Sequence, residues 1–195
     1  MLEAVNNEEK LITMTLSPNR IEEIEDQATR VLYSVFEDAK EIPIPVDLKK
    51  ILDFYKIQYL EGDFGEPLKE VSGALVVEGD SKTIMIASDE QATRIRFTIA
   101  HELGHIILHK KENDTEVFYR KNAIDPSLGF DPAKATNETE ANWFAASLLM
   151  PRGYVEKYTN IGAPLEDLAE IFSVSRTAML YRVRSLGILF KLRTA

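Results

Sequence analysis

The most informative segment of the chain is RIRFTIAHELGHIILH, residues 94–109. Apolar residues surround His101, Glu102 and His105, which predicts a long and largely buried helix from about Glu90 to His109. Two histidines four residues apart lie on one helical face, close enough to bind a single metal ion. Unpaired His and Glu side chains would be costly in such a place. The segment therefore predicts a metal site, in preference to a chance HExxH on a surface helix.

Glu102 has the position that a catalytic base needs. It is rotated by about 100° from His101 around the helix, so it need not bind the ion and can sit beside an open coordination position. Zinc lowers the pKa of a bound water towards roughly 7 and polarises a carbonyl group. We therefore predict zinc-dependent peptide hydrolysis with Glu102 as the general base.

A catalytic zinc ion needs a third protein ligand, and the next histidine does not supply it. The metzincin pattern HExxHxxGxxH is excluded, because Leu108 stands at its glycine position and Lys111 at its third histidine. His109 lies about 12 Å along the helix from His101, at 1.5 Å per residue, which is too far to share the ion on a straight helix. We expect His109 to have a structural or supporting role.

The predicted third ligand is Glu140, on the helix TNETEANWFAASLLM from about Thr136 to Met150. Glu140 shares a face with Trp143 and Phe144, so we expect it to be buried. Glu138 lies about 200° around the helix, on the polar side with Asn142, which is typical of a solvated charge. A buried carboxylate must be neutralised, ion-paired or bound to a metal. The predicted metal ligands are His101, His105 and Glu140.

The remaining elements predict an α+β fold that is mostly helical. A first helix is predicted over 18–40, with Ser17 as its cap and Pro18 at its first position, and a second over VDLKKILDFYK, residues 46–56. The short apolar runs SGALVV and TIMIA, separated by a turn, predict an antiparallel hairpin. The polar stretch from Lys110 to Ala135 is predicted to be a loop. We predict a flexible N-terminus at 1–17, a zinc peptidase domain at 18–160 and a C-terminal subdomain at 161–195.

The C-terminal subdomain has the pattern of a helix-turn-helix. In APLEDLAEIFSVSRTAMLYRVRSLGIL, residues 163–189, two short amphipathic helices flank a turn near Ser173, and Ser175 is predicted to cap the second helix. Arg176, Arg182 and Arg184 could meet DNA. However, the subdomain carries only five basic residues against three acidic ones, and the whole chain has a charge of −9. A helical subdomain that packs on the core or binds a protein partner is therefore favoured over DNA binding.

Composition and the start of the chain predict a cytoplasmic protein. The chain has no cysteine, which excludes a disulfide framework and any Cys-ligated zinc module. Its first residues carry acids where a secretory signal would carry Lys and Arg, and no apolar run approaches the roughly 18 residues that span a bilayer. We expect neither export nor a membrane anchor.

Taken together, RIRFTIAHELGHIILH and ETEANWFAASLLMP (residues 138–151) resemble the ImmA/IrrE family of metallopeptidases, from about Pro45 to the C-terminus. The resemblance implies that His101, His105 and Glu140 bind zinc and that Glu102 is the general base. It also implies a gluzincin-like, zincin-type core. The implied biological role is cleavage of a helix-turn-helix transcriptional repressor, which would release genes of mobile elements or the stress response.

Several alternatives remain open at this point. The chain could be a non-proteolytic regulator that binds DNA or a protein partner, or one component of a toxin-antitoxin pair. Nitrogen and oxygen ligands also accept manganese and other divalent ions. Tyr119, Arg152 and Tyr154 are candidates for stabilising an oxyanion, each with a purely structural role as the alternative.

Overall fold

The computed structural model describes residues 16–37, 41–63, 71–88, 90–109, 116–121 and 132–193. Within these ranges the chain forms seven helices and four strands, an α+β arrangement as predicted. In chain order they are α1 (Pro18–Val35), α2 (Leu48–Phe54), β1 (Ile57–Gly62), β2 (Val71–Glu78), β3 (Ser81–Ala87), α3 (Ala92–Leu108), β4 (Glu116–Lys121), α4 (Pro132–Leu149), α5 (Arg152–Asn160), α6 (Leu165–Phe172) and α7 (Arg176–Ser185). Among the described helices, none has the length and apolar character needed to cross a bilayer. The prediction of a flexible N-terminus falls, up to residue 15, outside the described residues.

Helix α1 begins where the sequence predicts and ends earlier. The Ser17 hydroxyl accepts a hydrogen bond from the Arg20 backbone N–H at 3.2 Å, and Pro18 occupies the first helical position. The helix was predicted to reach residue 40 but ends at Val35. Phe36 leaves helical geometry, with φ −113° and ψ 25°, and its side chain is buried in the core. The helix thus ends well before Pro43.

The predicted hairpin forms, within a larger sheet than the sequence suggests. Strands β2 and β3 pair antiparallel, with Leu75 opposite Ile84. Strand β1 pairs parallel with β3, and the strand order is β1-β3-β2-β4. The sequence predicted a small antiparallel sheet; two of its strand pairs are antiparallel, but the sheet is mixed because β1 and β3 run parallel. Lys56, at φ +56°, turns the chain from α2 into β1.

Strand β4 corrects another prediction. It lies inside the stretch from Lys110 to Ala135 that was predicted to be a loop, and it pairs antiparallel with β2. The segment EVFYRK contains Val117, Phe118 and Tyr119 in succession, and such β-branched and aromatic residues are typical of strands. Its short length and polar surroundings hid that signal. Helix α4 likewise begins at Pro132, four residues before the predicted start.

Helices α3 and α4 pack against each other at the centre of the molecule. Both were predicted from their apolar residues, and α3 runs within two residues of its predicted bounds. Ala100 and Leu103 of α3, and Phe144 and Leu148 of α4, are fully buried. Helix α1 covers another side of α4, so α4 has more than one buried face.

The C-terminal segment contains two short helices, α6 and α7, where the sequence predicts a pair of them. Helices α6 and α7 are separated by Ser173, Val174 and Ser175, with Ser173 in the left-handed conformation at φ 53°. The Ser175 hydroxyl accepts a hydrogen bond from the Ala178 backbone N–H at 3.1 Å, as predicted. Their buried side chains, among them Phe172 and Met179, join the same hydrophobic cluster as the rest of the protein. This packing fits the alternative in which the segment lies on the core.

Candidate metal centre

His101 and His105 lie next to each other on buried turns of α3. Their Nε2 atoms are 3.1 Å apart, and both side chains are almost completely shielded from solvent. This proximity follows from the spacing of four residues, which brings the two imidazoles to one face of the helix. The structure therefore brings together the two predicted histidine ligands.

The carboxylate that meets this pair belongs to Glu138 of α4. Its Oε2 lies 3.2 Å from His101 Nε2, and its Oε1 lies 3.1 Å from His105 Nε2. These three residues form a group of donor atoms that could hold a metal ion. The Glu138 side chain is 53% exposed, so solvent reaches this edge of the group. The sequence predicted a solvated charge at Glu138; its side chain is half-exposed, but its carboxylate also contacts both histidines.

Glu140, the predicted third ligand, is directed elsewhere. Its two carboxylate oxygens accept hydrogen bonds from the Arg20 guanidinium at 2.8 and 2.7 Å, and its Oε2 lies 3.0 Å from His109 Nε2. The hydrogen bonds from Arg20 hold the pKa of Glu140 below its usual range. Glu140 is indeed buried, but an arginine of α1 neutralises it. The geometry therefore assigns the position beside the histidine pair to Glu138, not Glu140.

Polar partners on the far side of each ring orient the two histidines. Nδ1 of His101 lies 2.9 Å from Oδ1 of Asn142, which can only accept. His101 therefore carries its proton on Nδ1 and presents the lone pair of Nε2. The Nδ1 atom of His105 lies 3.1 Å from Nδ1 of His109. Sequence reasoning placed Asn142 on the polar side of α4 and missed its role as a partner of His101.

The donor set fits a divalent cation. Two imidazole nitrogens and a carboxylate converge within 3.1 to 3.2 Å of one another. In a tetrahedral zinc site with bonds of roughly 2.0 Å, neighbouring ligand atoms are about 3.3 Å apart. Burial raises the pKa of the Glu138 carboxyl, but His101 and His105 lower it by more, so that its pKa lies well below the usual range.

Glu102, the predicted general base, follows His101 directly on α3 and is 2% exposed. A carboxylate buried this deeply beside a pair of histidines has the environment expected of a proton-accepting group. Two of the three candidates for stabilising an oxyanion have structural contacts instead. The Tyr154 hydroxyl accepts a hydrogen bond from the Ile42 backbone N–H at 2.8 Å, and Arg152 pairs with Glu25, so both have structural contacts. The side chain of Tyr119 is outside the described residues.

Comparison with known protein families shows which family the chain belongs to. A family model described as the IrrE N-terminal-like domain, Peptidase_M78, matches residues 62–184, more than half of the chain. The chain belongs to the ImmA/IrrE family of metallopeptidases. The matched residues include α3 and most of the helical region after it, and thus all of His101, Glu102, His105 and Glu138.

Individual members of the ImmA/IrrE family support this assignment. The chain is 27% identical to metallopeptidase ImmA of Bacillus subtilis (strain 168) over 144 residues, which is 71% of this chain and 75% of ImmA. It is 33% identical to the uncharacterized immunity region protein 2 of Bacillus phage phi105, over 51% of this chain and 58% of that protein. It is 30% identical to the radiation response metalloprotease IrrE of Deinococcus radiodurans, over 52% of this chain but only 30% of IrrE.

A solved structure shares the fold of this ImmA/IrrE protein. A Mycobacterium tuberculosis transcriptional regulator superposes on 84% of this chain and 51% of its own, with a TM-score of 0.53 and 15% sequence identity. This similarity concerns the fold alone. The chain spans three quarters of ImmA, and between 30% and 58% of the other proteins it matches.

In this ImmA/IrrE protein, Gly104 sets the distance between the two metal-site helices. A methyl group at Gly104 would lie 3.0 Å from Cα and 3.2 Å from the carbonyl oxygen of Ala141 on α4. Backbone atoms cannot rotate away as a flexible side chain can, so α3 and α4 would have to separate by a few tenths of an ångström. The glycine of HELGH is therefore a packing residue.

We expect Gly104→Ala to weaken zinc binding on the order of tenfold, because Glu138 moves away from the histidines. Overpacking costs about 1–3 kcal/mol, whereas the better helix propensity of alanine returns about 1 kcal/mol. The net loss in the free energy of unfolding should thus be modest. Zinc competition titrations and urea denaturation measure the two effects. Gly153→Ala in α5 is the control, since a methyl group there has no atom within 4 Å; equal zinc affinity in the two variants would contradict the packing argument.

The basic residues of the C-terminal helices are mostly engaged within the protein. The Arg182 side chain is 1% exposed and donates to Glu25 of α1 at 2.7 Å and to the Met150 carbonyl at 3.0 Å. A hydrogen bond from Arg176 lowers the pKa of Glu166 to about 2. Arg182 was a candidate DNA contact, and its burial removes it from that role.

Proposed function

We propose that this chain is a zinc-dependent endopeptidase in which His101, His105 and Glu138 hold the ion and Glu102 is the general base. The observation that carries the proposal is the convergence of the two imidazole Nε2 atoms and the Glu138 carboxylate on one point at the edge of the buried α3–α4 pair. A cation there has three protein ligands, which leaves a fourth position for water and substrate.

The residues of the site divide the chemistry among them. When bound, zinc lowers the pKa of water and polarises the carbonyl of the scissile peptide bond. Glu102 accepts the proton that the attacking water loses and can return it to the leaving amine. Asn142 and His109 orient the two imidazoles so that their Nε2 lone pairs face the ion. Burial of Glu102 keeps competing water away from the proton it handles.

We propose a helix-turn-helix transcriptional repressor as the protein substrate, and derepression of mobile-element or stress genes as the outcome. This part of the proposal is supported by membership of the ImmA/IrrE family and by the relative from phage phi105, whose name refers to an immunity region. We also propose a zincin-type core for residues 18–160, a helix-turn-helix-like subdomain for residues 161–195 and a cytoplasmic location.

The test uses the purified chain and any helix-turn-helix repressor that a neighbouring gene encodes. We expect one or a few discrete cleavage products by mass spectrometry, complete loss of cleavage after removal of the metal with a chelator, and recovery when one equivalent of zinc is restored. A helix-turn-helix protein from an unrelated operon is the control substrate. If the zinc-loaded chain binds the repressor without cutting it, the non-proteolytic regulator becomes the better description.

A further inference from the structure

A continuous line of polar contacts connects helix α1 to the metal ligand His105. The Arg20 guanidinium donates two hydrogen bonds to Glu140, at 2.8 and 2.7 Å. Glu140 Oε2 lies 3.0 Å from His109 Nε2, and His109 Nδ1 lies 3.1 Å from His105 Nδ1. The far nitrogen of His105, Nε2, is the one that faces His101 and Glu138. Four side chains from three helices thus lie in a single row.

The chemistry of these groups fixes the direction of every hydrogen bond in the row. An ionised carboxylate can only accept, so His109 must present Nε2–H to Glu140. A neutral imidazole carries one proton, which leaves Nδ1 of His109 as an acceptor. His105 must then donate from Nδ1–H, and its Nε2 keeps the lone pair that a metal ion needs. The opposite tautomers would set two lone pairs against each other at Glu140.

Arg20 holds the carboxylate that starts this sequence of hydrogen bonds. The Glu140 side chain is only 9% exposed, and a buried carboxylate needs a charged partner to remain in place. The two-point contact of a guanidinium with both oxygens also fixes the plane of the carboxylate, which a single contact could not. Arg20 lies on α1, before the residues 62–184 that match the family model.

We propose that Arg20, Glu140 and His109 act as positioning residues through which α1 sets the tautomer and orientation of the metal ligand His105. This inference rests on the proposed function, because it takes His105 to be a metal ligand. It assigns a role to Glu140 that the ligand prediction missed. It also makes the zinc affinity of the site depend on the position of α1.

The test measures zinc affinity in the full chain by competition with a chromophoric chelator, and records the visible absorption of the cobalt(II)-substituted protein. We expect Arg20→Gln to weaken zinc binding on the order of tenfold, within the 10- to 100-fold range typical of residues behind a metal ligand, and to change the cobalt spectrum. Arg20→Lys should recover part of the affinity. Arg152→Gln is the matched control, because it breaks another ion pair of α1, with Glu25, that does not lead to His105.

A double variant separates this role from general stabilisation of the fold. We expect His109→Phe to weaken zinc binding as Arg20→Gln does, and the combined variant to be no weaker than His109→Phe alone, since both changes interrupt the same row. Glu140→Gln, which preserves shape, serves if Arg20→Gln does not fold.

The outcomes distinguish this inference from the proposed function. A wild-type chain that binds neither zinc nor cobalt would overturn both. Zinc binding by the wild type with unchanged affinity in Arg20→Gln would overturn the positioning role alone. Equal weakening in Arg20→Gln and Arg152→Gln would also overturn it, because any loosening of α1 would then suffice.

Discussion

Glu102→Gln is expected to leave zinc binding and folding intact while lowering kcat/KM for repressor cleavage by roughly 10²- to 10⁴-fold. Glutamine keeps the size of the side chain and its hydrogen-bonding capacity, but it cannot accept a proton from water at neutral pH. The residue is buried on α3 directly beside His101, so a shape-preserving substitution is essential. The loss corresponds to about 3–5 kcal/mol of transition-state stabilisation.

The measurement combines repressor cleavage, followed by mass spectrometry, with the zinc content of the purified variant. Glu78→Gln provides a control, because Glu78 is an exposed carboxylate at the end of β2. We expect this control to match the wild type in both measurements. A Glu102→Gln variant that binds zinc and still cleaves at the wild-type rate would remove Glu102 from the mechanism and leave the metal site unaffected.

Replacing Glu138 is expected to have the largest effect on metal binding. Glu138→Gln should weaken zinc affinity by more than about 100-fold, beyond the 10- to 100-fold range of residues that only support a ligand, because it removes the negative charge of the carboxylate whose two oxygens each face one imidazole. Glu140→Gln, an identical chemical change two residues away, should fall within that range. The half-exposed position of the Glu138 side chain means that the metal-free variant should still fold.

The order of the two effects decides between the ligand assignments. Zinc competition titrations on Glu138→Gln and Glu140→Gln, with circular dichroism to verify folding, provide the comparison. The structure requires the greater loss at Glu138. If Glu140→Gln instead abolished zinc binding while Glu138→Gln retained it, the original assignment from the sequence would be restored, and the contacts of Glu140 with Arg20 and His109 would not describe the metal-bound protein.

The choice of Glu140 rather than Glu138 as the predicted third ligand has a physical origin in α4. Helical periodicity correctly predicted that Glu140 is buried and that Glu138 shares a face with Asn142. It could not reveal that α4 is covered on more than one side, by α1 as well as by α3. Glu140 lies where Arg20 of α1 neutralises it. The face of Glu138 and Asn142, which looked solvated, is the one that meets His101. Two polar residues four apart beside an HExxH helix were the available signal.

The sheet shows the same difference between local contacts, which the sequence predicts, and contacts between distant segments, which it does not. The hairpin of β2 and β3 was predictable, because its two strands are adjacent in the chain and joined by a short turn. The pairing of β1 with β3 was not, since it joins strands with another strand between them in the sequence. Pairing of β4 with β2 across the whole of α3 was hidden for the same reason. Such contacts depend on where the intervening elements of the chain lie.

Periodicity and local hydrogen bonds determined what the sequence alone could show: the helix that carries His101, Glu102 and His105 on neighbouring positions, the serine caps of α1 and α7, and the hairpin. These features involve residues only a few positions apart, so the local chain dictates them. The tertiary structure decided which carboxylate meets the histidines, that Arg20 reaches Glu140 across 120 residues, and that Arg182 is buried against Glu25. Those contacts depend on how separate helices pack, because a helix face becomes buried or exposed only when its neighbours are in place.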